Sequence, residues 1–360
     1  MTATTDEAEP AMADGPDPAA DLDPGLRAPL RLHALAYGLG VSAAVVAAAR
    51  LGVADALGEE PAGAEELAEA LGVNGSSLTQ LLRALSCHGV FEQASGHRFR
   101  HNELSRLLRA DEPGSRRDMV LLAGAPFAWK VWSGLDEAVR TGESVFPAFF
   151  GKDLFSYLTE DDPESGRVFD RAMASNAQAG AAVVARLDVG GARLVADLGG
   201  GQGGVLRGLL ERHGELRGML VDFPKVLAAA DAVLRPGGAL ADRCRLVPAD
   251  CRESVPGGAD LYLMKHVLHM WDDETARSVL RNLAASAGPG ARVAVVEQLL
   301  DTAPDPGIAT TMDLLMLVNL GGRERTEAEF AELFARSGIR LDAVEPTGTA
   351  AHLILGTVES

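Results

Sequence analysis

Basic residues are in short supply: 33 Lys and Arg stand against 51 Asp and Glu in 360 residues, for a net charge of −18. That balance argues against nucleic acid as the main partner, because phosphate binding needs a basic surface. It equally disfavours an anionic membrane surface. Cysteine is scarce as well. Cys87, Cys244 and Cys251 are odd in number and widely spaced, so they form neither a zinc nor a disulfide pattern and suit a reducing cytoplasm. Residues 1–24 contain no Lys or Arg and no apolar stretch, which excludes a secretory signal there and leaves an acidic, Ala- and Pro-rich tail expected to be disordered. No long uninterrupted apolar run exists either. The most apolar window, "GLGVSAAVVAAARLGVADAL" (38–57), is broken by Arg50 and Asp55 and reads as a packed helix, not a membrane span.

What is present is the material of a globular protein, 47% apolar and 23% charged, long enough for about two domains. Residues 25–110 read as helical and compact. "GAEELAEALGV" (63–73) and "NGSSLTQLLRALSCHGVFEQ" (74–93) are a helix, a turn and a second helix, with Ser76 or Ser77 placed to cap the second. "VFEQASGHRFRHN" follows as a short hairpin around Ser95-Gly96. Helix-turn-helix plus hairpin is a winged-helix pattern, so a DNA reader must be weighed. Arg83 is the only cation of "SLTQLLRALSCHG", which favours a dimerisation or packing role. Residues 111–190 read as linker helices that roof a pocket. Trp129, Trp132, Phe169 and Met173 have core spacing, with pocket lining as the competing role.

From about residue 191 to 360 strands and helices alternate: "RLVADL", "RGMLVDF", "CRLVPAD", "ADLYLMKHVLH" and "ARVAVVEQLL" are apolar strands, and "AHLILGTVE" offers a last edge strand, read as antiparallel. This is a Rossmann-like, doubly wound, mainly parallel α/β sheet. Its first strand runs into "VADLGGGQGG" (195–204), which fits two templates. Gly199, Gly201 and Gly204 spell the dinucleotide G-x-G-x-x-G, while Asp197, Gly199, Gly201 and Gly203 spell D-x-G-x-G-x-G. A pyrophosphate wants bare N–H groups and a helix dipole, and a carboxylate beside it is unfavourable. S-adenosylmethionine carries an ammonium and a sulfonium instead, and Asp197 can hydrogen-bond the ammonium. Asp222, closing the second strand, suits a ribose diol, and Asp250, closing the third, an adenine amino group. Acids closing three successive strands are the more specific signal; helix capping is the alternative for Asp250.

With "DLGGGQG", "VDFP", "LYLMKHVLHMWDDE", "VVEQLL" and "GGRERTEAEF" in this order and spacing, the chain resembles the class I S-adenosylmethionine-dependent O-methyltransferases of the plant caffeate/flavonoid and bacterial polyketide type. The resemblance covers nearly the whole chain beyond the tail. It implies a homodimer built on a winged-helix-like N-terminal domain, a small aromatic acceptor such as a polyketide-type intermediate, and a place in antibiotic or other secondary metabolism. It implies that His269 is the general base and that Glu297 and Glu324 flank and orient its imidazole. Lys265, Asp222, Phe223 and Asp250 are implied to contact the cofactor, with Cys251 offering backbone contacts, and Met173 and Asn319 to line the acceptor pocket. Met270 stands where relatives often carry an acid or Asn directly after the base, and Cys251-Arg252 where many have an aromatic or Met.

The chemistry asks for those residue types. Methyl transfer is an in-line displacement, so the protein supplies alignment and a more nucleophilic oxygen. A phenol has a pKa of about 10, and a histidine of pKa about 6.5 is neutral enough to take its proton. No metal is expected: Asp272 of "DDE" (272–274) reads as an N-cap. His266 is the competing base; a strand would point it and His269 to opposite faces, and it is assigned to packing or substrate contact, as is Trp129. Three alternatives remain open here: a methyltransferase-like hydroxylase or decarboxylase using the cofactor structurally, a dinucleotide oxidoreductase, and a DNA-binding regulator.

Overall fold

The computed structural model describes residues 23–95, 98–175 and 177–360. The tail expected over 1–24 lies outside the described residues as far as 22, and the tip of the expected hairpin, at Gly96, lies outside them too. Two compact units divide between Arg106 and Leu107.

In the first unit Asp23 caps the helix Pro24–Ala36, accepting from the Gly25 amide at 2.8 Å, and Gly38–Leu51 follows. The Ala-rich window buries Val46, Ala48 and Ala49 and stops at Gly52. Among the described residues no single helix is long and apolar enough to cross a membrane; Pro24–Ala36 and Gly38–Leu51 pass such a test only together, across a 44° bend. Helices Ala64–Leu71 and Gly75–Cys87 pack through Leu67, Leu78, Leu82 and Leu85. The cap of the second is Asn74, whose Oδ1 accepts from the Ser77 amide at 2.9 Å, not Ser76 or Ser77. The helix begins at Gly75, so both serines already lie in its first turn. Strands β1 (Ala62–Gly63), β2 (Glu92–Ala94) and β3 (Arg98–Arg100) form a small antiparallel sheet in the order β1-β3-β2, with Phe99 buried.

The second unit opens with short helices from Arg117 to Arg186, then builds a seven-stranded sheet. Its strands are β4 (Leu194–Leu198), β5 (Arg217–Asp222), β6 (Cys244–Pro248), β7 (Leu261–Lys265), β8 (Arg292–Gln298), β9 (Ile339–Pro346) and β10 (Ala351–Val358), in the order β6-β5-β4-β7-β8-β10-β9. β4 pairs parallel with β5 and β7, whereas β10 pairs antiparallel with both β8 and β9. "AHLILGTVE" is therefore antiparallel but not an edge. "IRLDAVEP" occupies the edge, and its polar alternation hides it from a search for apolar strands.

Alternation along the strands divides the core. Ala196, Tyr262, Met264, Val293 and Val295 face helices Asp273–Ala287 and Glu327–Ala335, while Val195, Leu261, Leu263, Ala294 and Val296 face Gly204–Arg212. Each face buries aliphatic surface at roughly 25 cal/mol per Å². Chain order runs outward from β4 to β6 and then returns to β7, so the switch point lies between β4 and β7, where α/β sheets open a crevice beyond the strand ends. Asp197 is next to last in β4, and Lys265 closes β7.

Candidate active site

Asp197 sits in β4 almost without solvent contact, and its Oδ2 has no hydrogen-bond partner among the described residues. Burial pushes its carboxyl up to about 7; the Lys265 charge opposes this and Asp222 adds to it. The loop that follows takes positive φ at Gly199, Gly201 and Gly203. Gly199 is required twice over, since a Cβ there would also strike Val267 at 2.8 Å. Asp222 ties the loop to β5: one carboxylate oxygen accepts from the Gly201 amide at 2.9 Å, the other from Phe223 at 2.7 Å. Phe223 presents an exposed ring beside it.

Asp250 is placed differently from the open acceptor the sequence suggests. Arg252 folds back on it, with Nε 3.0 Å from Oδ1 and Nη2 2.7 Å from Oδ2, and holds its carboxyl below the usual range. Cys251 is buried and its thiol is pushed up to about 12 by burial, which makes it an inert packing group.

The second half of the site hangs on Glu297. It lies near the end of β8, fully buried, and its Oε1 accepts from the amides of Val267 at 3.0 Å, Leu268 at 2.9 Å and His269 at 3.3 Å. A carboxylate thus caps the single turn Leu268–Met270 that carries His269. Burial alone would raise its pKa, but the charge of His269 and the hydrogen bond from His266 hold it down at about 2. His269 Nδ1 lies 2.8 Å from Glu324 Oε1 and 3.7 Å from Glu297 Oε2. A carboxylate only accepts, so Nδ1 carries the proton and Nε2 is left as the lone-pair nitrogen. Burial pulls the imidazole pKa down, yet the two glutamates outweigh it and raise it above the ordinary value.

His266 does not point away from His269. β7 ends at Lys265, and His266 takes a left-handed φ of 53°, which turns the chain. The two rings lie 5.6 Å apart on the same side, with His266 Nδ1 3.4 Å from Glu297 Oε2. A non-glycine residue in this conformation is uncommon and is held by its surroundings. His266, His269 and Glu297 bring potential ligand atoms within 4.8 Å of one another, a cluster that linear spacing did not reveal.

Several supporting residues escaped the sequence reading. Arg325 is fully buried and donates from Nη1 to the Leu268 carbonyl at 3.0 Å, from Nη2 to the Trp271 carbonyl at 2.9 Å, and from Nε to Asp273 at 2.9 Å. It clasps the His269 turn through carbonyls, as Glu297 does through amides. Asp313 accepts from the Glu324 amide at 2.8 Å. Gly322 lets "GGRERT" lie against the turn: a Cβ would meet the His269 carbonyl oxygen at 2.2 Å, and the next amide, Arg323, donates to that oxygen at 2.9 Å. Asp272 is the N-cap expected, accepting from Thr275 at 2.7 Å.

The chain that carries this site is similar to known proteins along most of its length. Residues 132–340 match the O-methyltransferase domain and residues 33–111 the O-methyltransferase dimerisation domain. The chain belongs to the O-methyltransferase family. The mitomycin biosynthesis 6-O-methyltransferase of Streptomyces lavendulae is 40% identical over 310 residues, covering 85% of this chain and 87% of that protein. A solved structure of mitomycin 7-O-methyltransferase is 36% identical, covers 93% of this chain and 98% of its own, and superposes with a TM-score of 0.81. An O-methyltransferase from neocarzinostatin biosynthesis, solved in complex with S-adenosylmethionine and 2-hydroxy-5-methyl naphthoic acid, is 31% identical with a TM-score of 0.74, covering 88% and 95%.

The acceptor-side candidates are dispersed in this family member. Met173 is exposed on the helix Pro163–Ser175. Trp129 is half-buried, with Nε1 donating to the Gly124 carbonyl at 2.7 Å. Asn319 is buried on the helix Pro306–Leu320, with Oδ1 lacking a partner among the described residues. That helix packs against the His269 turn.

Proposed function

We propose that this O-methyltransferase methylates a hydroxyl of an aromatic natural-product intermediate, with His269 as general base, and the observation that carries the reading is the 2.8 Å bond from His269 Nδ1 to Glu324. S-adenosylmethionine, the cofactor of the family, supplies an electrophilic methyl group on a sulfonium. The residues present suit it. Asp197 is a buried carboxyl with one oxygen lacking a partner among the described residues and a pKa driven up by burial that Lys265 only partly offsets, which a cationic ligand end would relieve further. Gly199 and Gly201 expose backbone, Asp222 keeps lone pairs for a diol, and Phe223 offers an apolar face; Asp250, Cys251 and Lys265 complete the proposed cofactor side. Burial holds the Lys265 pKa below its ordinary value, with the charges of Asp197 and Glu297 both opposing that fall, and the ammonium so couples the two halves of the site electrostatically.

On the acceptor side His269 Nε2 takes the hydroxyl proton as the oxygen becomes nucleophilic. Glu324 fixes the tautomer and, with Glu297, stabilises the imidazolium that results. Met173, Asn319, Trp129 and His266 are assigned to acceptor contact; the buried, unpaired Asn319 Oδ1 suits a polar substituent on the ring. The dimerisation segment, residues 33–111, fits a homodimer, since it leaves Leu35, Tyr37, Leu39 and Leu51 exposed. Incubating the chain with S-adenosylmethionine and a panel of hydroxylated polyketide-type aromatics should yield S-adenosylhomocysteine and methylated product in equal amounts. Cofactor binding without product across such a panel, or a hydroxylated or decarboxylated product, would count against the proposal.

The pH dependence follows from the same geometry. The base works only when neutral, so activity falls as pH drops through the raised pKa of His269. Glu324→Gln keeps an acceptor for Nδ1–H but removes the negative charge. The acidic limb of kcat/KM should therefore move down by about one pH unit, with a lower plateau from the weaker base. An unmoved limb would detach Glu324 from the titrating group.

A further inference from the structure

Beside His269 and Glu297, which the proposed proton transfer uses, the fold places a third ligand-type side chain, His266, that the transfer does not need. Glu297 Oε2 faces two imidazoles at once, 3.4 Å from His266 Nδ1 and 3.7 Å from His269 Nδ1. A tetrahedral Zn²⁺ with bonds of about 2.0–2.1 Å separates its ligands by roughly 3.3–3.4 Å. The two measured edges are close to that figure, and the third lies within the 4.8 Å span of the cluster. Glu324 Oε1 is 2.8 Å from His269 Nδ1, and Glu324 Oε2 is buried without a partner among the described residues, which makes it a fourth donor at hand and the second anionic one. His266 reaches this position only through a left-handed backbone, at a cost in strain that a packing role alone does not require.

We propose that His266, His269 and Glu297 form a binding site for a zinc-type divalent transition-metal ion, and that occupancy switches methyl transfer off by coordinating His269. The inhibitory consequence rests on His269 being the base; the site itself does not. Coordination uses the Nδ1 lone pair, so the Nδ1 proton must go. In neutral His269 it reappears on Nε2 as the ring tautomerises, with no net release; from the imidazolium one proton is released to solvent. Either way Nε2 holds a proton and no longer accepts one from the acceptor hydroxyl. Nitrogen ligands favour Zn²⁺, Co²⁺ or Cu²⁺ over Mg²⁺, which takes oxygen ligands and keeps its waters.

The test uses the untagged full-length chain with Zn²⁺ alone, followed by calorimetry, and with Co²⁺ alone, followed by visible absorption. The expected result is one site per chain with the intense d–d bands of tetrahedral Co²⁺, tighter as pH rises. His266→Asn should weaken binding at least tenfold, and Asn tolerates the left-handed backbone, so the variant keeps its fold. Zn²⁺ should also abolish turnover, with a chelator restoring it and Mg²⁺ having no effect. Absence of Zn²⁺ binding, or binding that His266→Asn leaves untouched, overturns the site whatever the turnover. Binding that depends on His266 while turnover persists overturns the switch, and His269→Ala then separates the causes: intact activity marks the base assignment as the failure, lost activity the coordination of His269.

Discussion

Replacing His269 by alanine should lower kcat on the order of 10²–10⁴-fold while leaving affinity for S-adenosylmethionine within a few-fold of the parent. The rate loss is the size ordinarily supplied by a positioned general base. The binding side is spared because the cofactor residues proposed here, Asp197, Gly199 and Asp222, belong to β4, β5 and the loop between β4 and its helix, whereas His269 hangs on Glu297 and Arg325. The fold should persist, since the backbone amide at this position keeps its bond to Glu297, but the variant should be less stable, because Glu297 and Glu324 lose the imidazole they share. Single-turnover rates, isothermal calorimetry with the cofactor, and a pH profile check all three statements. The variant's residual rate should also lose the acidic limb assigned to His269. Undiminished kcat would move the base elsewhere, His266 first, because its ring lies 5.6 Å away and shares Glu297.

The alternation of strands with helices and the two ends of the proposed site were legible because each is carried by a contiguous stretch. "VADLGGGQGG" contains both the strand that buries Asp197 and the glycines that follow, and "VLHMWDDE" contains both the proposed base and the N-cap behind it. Glu297 and Glu324 were reachable only through resemblance, since no local rule links residues that lie 28 and 55 positions from His269. What stayed hidden depends on backbone conformation and on long-range closure. Period-two alternation sends His266 and His269 to opposite faces, and it fails because β7 ends one residue before His266 and the chain then turns left-handed. Arg325 looks like one more charge in "GGRERT", yet it is buried with three well-defined acceptors, all of them supplied by the turn it clasps and the start of the next helix. The edge strand Ile339–Pro346 is too polar to announce itself, and so β10 was read as the margin of the sheet.

Glu297 should be the most costly position in the site for folding, and the pH dependence of that cost identifies its origin. Its carboxylate is the sole acceptor, among the described residues, for three amides of the His269 turn and the buried counter-charge of two imidazoles. Its pKa is near 2 in the folded chain against 4.5 for the free side chain. A depressed carboxyl pKa gives stability that is present above the unfolded value and lost as pH falls toward the folded one, here between about 4.5 and 2, on the order of 3 kcal/mol in all. Glu297→Gln keeps an oxygen for the turn amides but no charge. At pH 6, where His269 is an imidazolium, urea unfolding should find the variant less stable by a few kcal/mol. Glu297→Ala should lose more, because unpaired buried amides cost about 1–3 kcal/mol each. As the pH is lowered the parent should converge on Glu297→Gln, since the parent's carboxylate is then protonated and the variant has nothing to titrate there. A gap that stays constant from pH 6 to pH 3 would mean that packing, not charge, makes Glu297 indispensable. The His269 turn would then be held by shape alone, and the raised pKa of the base would have to come from Glu324.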